Sequence, residues 1–285
     1  MMPGSPTSPL RCGRFVLELT RPKIMGIVNL TDDSFSGDGL AGDVARAIGQ
    51  GRQLVADGAD FLDIGAESSR PGALPVPVEQ ELARVLPVLA GLRDCGVPLS
   101  VDTTKPEVMV AVLAAGADMI NDIAALQSPA ALAAVADSDC AVCLMHMQGA
   151  PRTMQQAPYY DEVVAEVARF FAQRLVAVTA AGVAAERLVF DPGFCFGKTL
   201  AHNLALLRHL GALSAGGRPL LAGLSRKSML GTLTGRPAAE RLPASVAAAL
   251  LAVQRGAAIV RVHDVAATRD ALNILEALEE ENDGA

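Results

Sequence analysis

Short runs of β-branched and other apolar residues alternate with longer stretches of helical period along the whole chain. Strands are predicted at 23–30, 61–67, 98–104, 119–125, 141–147, 188–193, 219–225 and 259–265, where apolar residues cluster over strand length and turn formers bound them. Each run leads into a helical pattern, over 43–57, 76–95, 106–116, 128–138, 160–182, 200–217, 237–257 and 266–280. Thr104 precedes Lys105-Pro106-Glu107 and Ser128 precedes Pro129, the order of a cap before a first-turn proline. Eight βα units over about 260 residues predict an α/β fold of the (β/α)8 TIM-barrel type. No GxGxxG follows the first strand, and a doubly wound sheet rarely needs eight units.

An extra strand, RFVLEL at 14–19, precedes the first unit and is expected to cover the barrel's N-terminal end. Residues 1–14, rich in Pro, Ser and Gly, read as a flexible tail. No linker interrupts the remainder, so 15–285 is expected to form a single domain. The N-terminus lacks the apolar core of a signal peptide. The longest apolar stretch, Leu242 to Val253, is too short to span a bilayer.

Composition narrows the function. The chain is 51% hydrophobic, enough for a large core, and its net charge of −7 argues against a nucleic-acid partner. Five cysteines without disulfide-like spacing suit a reducing cytoplasm. Cys140 and Cys143 form a CxxC, but their odd separation at a strand start places them on opposite faces, as buried thiols.

Barrel chemistry sits at the C-terminal ends of the strands, and here every predicted strand ends in a polar group. In order these are Asn29, Asp63 and Glu67, Asp102, Asn121 and Asp122, His146, Asp191, Ser225-Arg226-Lys227, and Arg261 with His263 and Asp264. Any one Asp or Asn there is commonly a cap or a turn former, and His146 alone reads as a packed histidine. The set says more. Arg261 and His263 are two apart and share a face. Asp102 and Asp191 follow apolar runs, where an unpaired carboxylate is costly, so a ligand is expected to supply donors. Asp102, Asn121 and Asp191 with Lys227 suit a flat heterocycle carrying a row of N–H donors and one carbonyl. Arg70, Arg261 and His263 form a separate cationic group suited to an anionic tail such as diphosphate.

At this point the motifs carry a resemblance. GIVNLTDDSFSGDG (26–39), DIGAESSRPGA, SVDTTKPEVM, AGADMINDI, LMHMQGAPRTMQ, FDPGFCFGK, GLSRKS and IVRVHDV resemble, in order, the motifs of the dihydropteroate synthases of folate biosynthesis, from about residue 23 to 275. The resemblance implies a transferase that joins 4-aminobenzoate to a dihydropterin carrying a hydroxymethyl diphosphate, releasing diphosphate. By motif position, Asp102, Asn121, Asp191 and Lys227 are expected to hold the pterin. Asn29, Arg70, Arg261 and His263 are expected to hold the diphosphate, with Mg²⁺ near Asn29. Phe35, Ser69, Pro71, Phe196 and Ser228 are expected to line the aminobenzoate pocket. Sulfonamides are expected to compete there.

The first loop departs from the family pattern: Asp32 stands where proline is usual, and Gly37-Asp38 reverses the usual Asp-Gly. Asp33 and Asp38 are therefore both candidates to face a developing cation. Ser69 replaces a usual threonine, and Cys195 a common glycine. No Ser-His-Asp set or HExxH is present. Two rivals share the ring pocket. One is a methyltetrahydrofolate-dependent methyltransferase, which has no use for an anion clamp; the other is a silent pterin-binding paralogue. Finally, 244–253 is apolar almost all round, so an isologous homodimer through the seventh and eighth barrel helices is expected.

Overall fold

A computed structural model describes residues 9–31, 43–68 and 73–280. Eight parallel strands close into a barrel: β3 (Lys23–Asn29), β4 (Phe61–Gly65), β5 (Leu99–Asp102), β6 (Met119–Asp122), β7 (Ala141–Met145), β8 (Leu188–Asp191), β9 (Leu220–Ala222) and β10 (Ala257–Val262). β10 pairs with β3, which shuts the ring. Helices α1 (Val44–Ala56), α2 (Val78–Leu92), α3 (Pro106–Ala114), α4 (Pro129–Ala136), α5 (Val163–Ala180), α6 (Leu200–Arg208), α7 (Ser228–Thr234), α8 (Leu242–Gln254) and α9 (Val265–Glu280) follow the strands. This is the predicted TIM barrel. None of the described helices is long and apolar enough to cross a membrane.

The period of two in the strands sorts residues into two cores. Ile24 and Val28 face the helices and pack with Leu54, Leu62 and Val101 in the outer layer. Met25 faces the lumen and packs with Phe61, Met119, Cys143 and Ile259. Cys140 belongs to the outer cluster and Cys143 to the inner one, as their spacing requires.

Residues 9–14 differ from the loose tail expected over 1–14. β1 (Leu10–Cys12) pairs antiparallel with β2 (Phe15–Leu17), and Leu10 and Cys12 are buried in the lumenal cluster. Arg14 locks the hairpin in place, since Nε and Nη2 each reach a carboxylate oxygen of Asp118 at 2.9 Å. The strand expected at 14–19 is thus the second arm of a hairpin whose first arm packs Leu10 and Cys12 into the lumenal cluster.

Two helical boundaries also differ. The pattern over 200–217 ends as helix at Arg208 and continues as two short 3-10 turns, where Gly216 takes φ +58. The added helix α7 arises inside the predicted β9–α8 connection. It starts at the serine of the SRKS motif and stops at Gly235 in a left-handed cap.

Candidate active site

The strand register assembles the site. Asn29, Gly65, Asp102 and Asn121 lie side by side across β3, β4, β5 and β6, so three polar side chains share the lumenal rim. A cavity of about 380 Å³ opens at this C-terminal end. Nine expected site residues line it: Asn29, Asp102, Asn121, Asp191, Phe196, Lys227, Ser228, Arg261 and His263. Phe35, Asp33, Asp38, Ser69, Arg70 and Pro71 lie outside the described residues.

Asp63, a strand-end residue with no role assigned from the sequence, is the hub beneath the floor. Its fully buried carboxylate accepts from Ser100 Oγ at 2.6 Å, Arg261 Nε at 2.6 Å and Asn121 Nδ2 at 3.2 Å. An ionised carboxylate only accepts, so Asn121 must turn its NH2 toward Asp63, leaving Oδ1 as the atom it can offer elsewhere. Arg261 also reaches Asp102 Oδ2 with Nη2 at 3.4 Å. It therefore bridges the carboxylates of Asp63 and Asp102.

Burial sets the electrostatics. The Asp102 carboxyl is pushed up to about 7 by burial and by the charge of Asp63, with Arg261 opposing. Burial likewise raises Asp191, although Lys227 and the Gly193 N–H work against it. Lys227 is lowered by burial, with Asp191 opposing. Its Nζ donates to Phe194 O at 2.6 Å and lies 4.8 Å from the Phe196 ring centroid. Burial also opposes the charge of Arg261, but Asp63 and Asp102 outweigh it and hold the guanidinium more firmly protonated than usual. A Cβ on Gly223 would come within 3.9 Å of Lys227 Nζ, Asp191 Oδ2 and Arg261 Cβ, so glycine leaves that space to a ligand.

The turn carrying Lys227 is held from behind. Arg226 takes φ +57, its N–H donates to Ser245 Oγ at 2.9 Å, and its guanidinium grips both oxygens of Asp264 at 3.1 and 2.6 Å. His263, next in the chain, places Nδ1 2.9 Å from Ser225 Oγ. Arg226 and Asp264 thus hold together the connections that follow β9 and β10, and Lys227 and His263 line the cavity.

His146 is packed, not presented: it is 7% exposed and edge-on to Phe170. Burial and the nearby Lys198, 3.0 Å from Nδ1, lower it to about 3. Lys198, lowered to about 7 chiefly by burial, donates to the carbonyls of His146 and Phe196 at 3.2 and 2.9 Å. Cys195 lines the cavity at φ +67, a left-handed backbone that a glycine would adopt at lower cost. Its carbonyl accepts from Gln155 Nε2 at 3.0 Å. Met145, Met154, Gln155 and Arg241 also line the cavity; no local pattern in the sequence marks them.

Among the described residues no three His, Cys, Asp or Glu side chains converge as a metal site. Asn29 Oδ1 is the hard oxygen at the expected place, and it accepts from Thr31 Oγ1 at 2.9 Å. One amide oxygen fits a magnesium ion that takes its other ligands from phosphate and water, not a resident site.

The comparisons with known proteins agree with this geometry. The sequence model of the pterin-binding enzymes matches residues 25–263. The dihydropteroate synthase of Neisseria meningitidis serogroup C is 55% identical over 273 residues, 94% of this chain and 96% of that one. A crystal structure of Burkholderia cenocepacia dihydropteroate synthase complexed with 7,8-dihydropteroate superposes with TM-score 0.91 at 50% identity, covering all of both chains. The Xanthomonas albilineans dihydropteroate synthase with 4-aminobenzoic acid superposes with TM-score 0.87 at 54% identity over 95% of this chain and 98% of that one. Such identity over nearly the whole length also sets the methyltransferase reading aside. With Asp102, Asn121, Asp191 and Lys227 lining one cavity, the chain belongs to the pterin-binding enzyme family, among its dihydropteroate synthases.

Proposed function

We propose that this chain condenses 6-hydroxymethyl-7,8-dihydropterin diphosphate with 4-aminobenzoate, giving 7,8-dihydropteroate and diphosphate. The observation that carries the reading is the convergence of three acceptors and one cation on a single cavity. Asp102, Asp191 and the Oδ1 of Asn121 accept the N–H groups of the pterin's aminopyrimidine edge, and Lys227 donates to its carbonyl. The Burkholderia and Xanthomonas relatives, bound to dihydropteroate and to 4-aminobenzoic acid, support the same ligands here.

The arylamine is a neutral nucleophile and needs no strong base, so the difficult event is departure of the diphosphate. The bond from the exocyclic methylene carbon to the diphosphate oxygen breaks first, leaving a cation delocalised over the dihydropterin. The amine nitrogen then forms the new C–N bond and releases its proton. Arg70, Arg261, His263 and Asn29 hold the diphosphate as its charge grows. Asn29 would hold a Mg²⁺ carried on the diphosphate, which would supply further charge neutralisation there. Asp102 and Asp191 lie where their negative charge favours the pterin cation, and Asp33 or Asp38 of the first loop is the further candidate. Phe196 and Ser228, with Phe35, Ser69 and Pro71, form the aminobenzoate side, where sulfonamides compete.

The test is diphosphate release measured with each substrate and Mg²⁺ omitted in turn. Release that requires all three supports the reading; no release with all present makes the chain a silent paralogue. We further propose that the protein works as a homodimer through α8 and α9, which expose Leu251 on one helix and Ile274 and Leu278 on the other.

A further inference from the structure

Arg241 is a cavity-lining cation that the family motifs do not include. Its Nε donates to Arg236 O at 2.9 Å, and Nη1 donates to Arg226 O at 2.9 Å and to Lys227 O at 3.3 Å. Those bonds engage three of the five N–H groups of a guanidinium and leave the two on Nη2. The group lies flat against α7, where a Cβ on Gly231 would fall 2.1 Å from Nη2. Glycine is what lets the arginine approach. Among the described residues lining the cavity, Arg261 is paired with Asp63 and Asp102, and the charge of Lys227 answers Asp191. Arg241 differs, because among the described residues its bonded partners are all backbone carbonyls and no carboxylate pairs with it.

Its position selects the anion. The carbonyl of Lys227 that it touches belongs to the peptide leading into Ser228, on the wall shared with Phe196. We propose that Arg241 is a specificity-determining residue that binds the carboxylate of 4-aminobenzoate and so selects the anionic arylamine over uncharged ones. This assignment rests on the condensation proposed above. A charge-assisted hydrogen bond there favours the carboxylate about tenfold or more over its neutral ester.

The experiment compares kcat/KM for 4-aminobenzoate and for its methyl ester in the wild type, R241M and R241Q, with the KM for the pterin diphosphate measured alongside. The glutamine keeps an N–H donor for the neighbouring carbonyls, so it reports on charge even if R241M fails to fold. The expected result is a wild-type preference for the acid of about tenfold or more. In a folded variant that preference collapses toward unity, because kcat/KM for the acid falls far more than kcat/KM for the ester. Parallel losses for acid and ester would show that Arg241 only supports the Lys227 turn. A rise confined to the pterin diphosphate KM would assign it to the other anion, and a preserved preference would remove it from recognition altogether. Each of these overturns the proposal. A wild type that condenses neither arylamine instead overturns the proposed reaction.

Discussion

Asp102 and Asp63 are neighbouring carboxylates in one buried network, yet they meet different demands. Asp63 is saturated, with Ser100, Asn121 and Arg261 around it. Asp102 keeps room for a ligand and is pushed up to about 7 by burial, then by Asp63, against the pull of Arg261. A carboxyl so raised is protonated in much of the free protein below that pH and must lose the proton to accept a pterin N–H. Pterin affinity is therefore expected to fall as pH drops below about 7, by up to tenfold per unit, and to level off above it. D102N should bind weakly and show no such slope. Titration calorimetry from about pH 5 to 8.5 decides; a wild-type Kd flat across that range would show that Asp102 does not gate binding. The same raised pKa makes the contribution of Asp102 to the stability of the unliganded fold fully present below about pH 4 and lost as pH rises through about 7.

At the scale of elements, the loops after the strands are braced against one another. Gln155, from the connection after β7, holds the carbonyl of Cys195 and the N–H of Lys198 after β8. Lys198 returns a bond to the His146 carbonyl. Gly193 sits where the two connections meet, with φ +67, and a Cβ there would lie 2.0 Å from His146 O. Its N–H also donates to Asp191 Oδ1 at 2.7 Å. G193A combines a left-handed backbone with a clash against main chain, so a loss of roughly 2–4 kcal/mol is expected in urea unfolding. Gly182 gives the control: φ is +95 and no atom lies within 4 Å of an added Cβ. G182A should cost only about 1–2 kcal/mol. Equal losses for the two would mean that the close approach at Gly193 relaxes freely.

At the scale of the molecule, α8 serves two surfaces. Its first turn and the residue before it hold the Lys227 turn through Arg241 and Ser245, and Ala248, Ala249, Ala252 and Val253 pack on the barrel. Leu251 remains 41% exposed, with Ile274 at 66% and Leu278 at 59% on α9. Small residues on the barrel side and leucines outside make α8 apolar all round. Light scattering is expected to give twice the mass of one chain, falling to one chain in L251E/I274E with an unchanged far-UV spectrum. A monomeric mass for the wild type would leave these side chains as scattered surface residues.

The alternation of apolar runs and helical periods determined the barrel by itself, because each βα unit writes its own periodicity into consecutive residues. Strand-end polar groups were equally legible, since the strand direction fixes which end of every unit reaches the same rim. The first arm of the hairpin, Leu10–Cys12, and the helix at Ser228–Thr234 were missed, being too short for a period to emerge. What the tertiary structure alone decided is partnership. Asp63 meets Arg261 across 198 residues of chain because β10 closes on β3. That closure places Arg261 between Asp63 and Asp102, beside the diphosphate role that the resemblance leads one to expect of it. Arg241 entered the cavity only because α8 begins against a glycine on α7. Such contacts are made through space between elements whose own patterns carry no trace of them, so packing, not local sequence, chooses the partners.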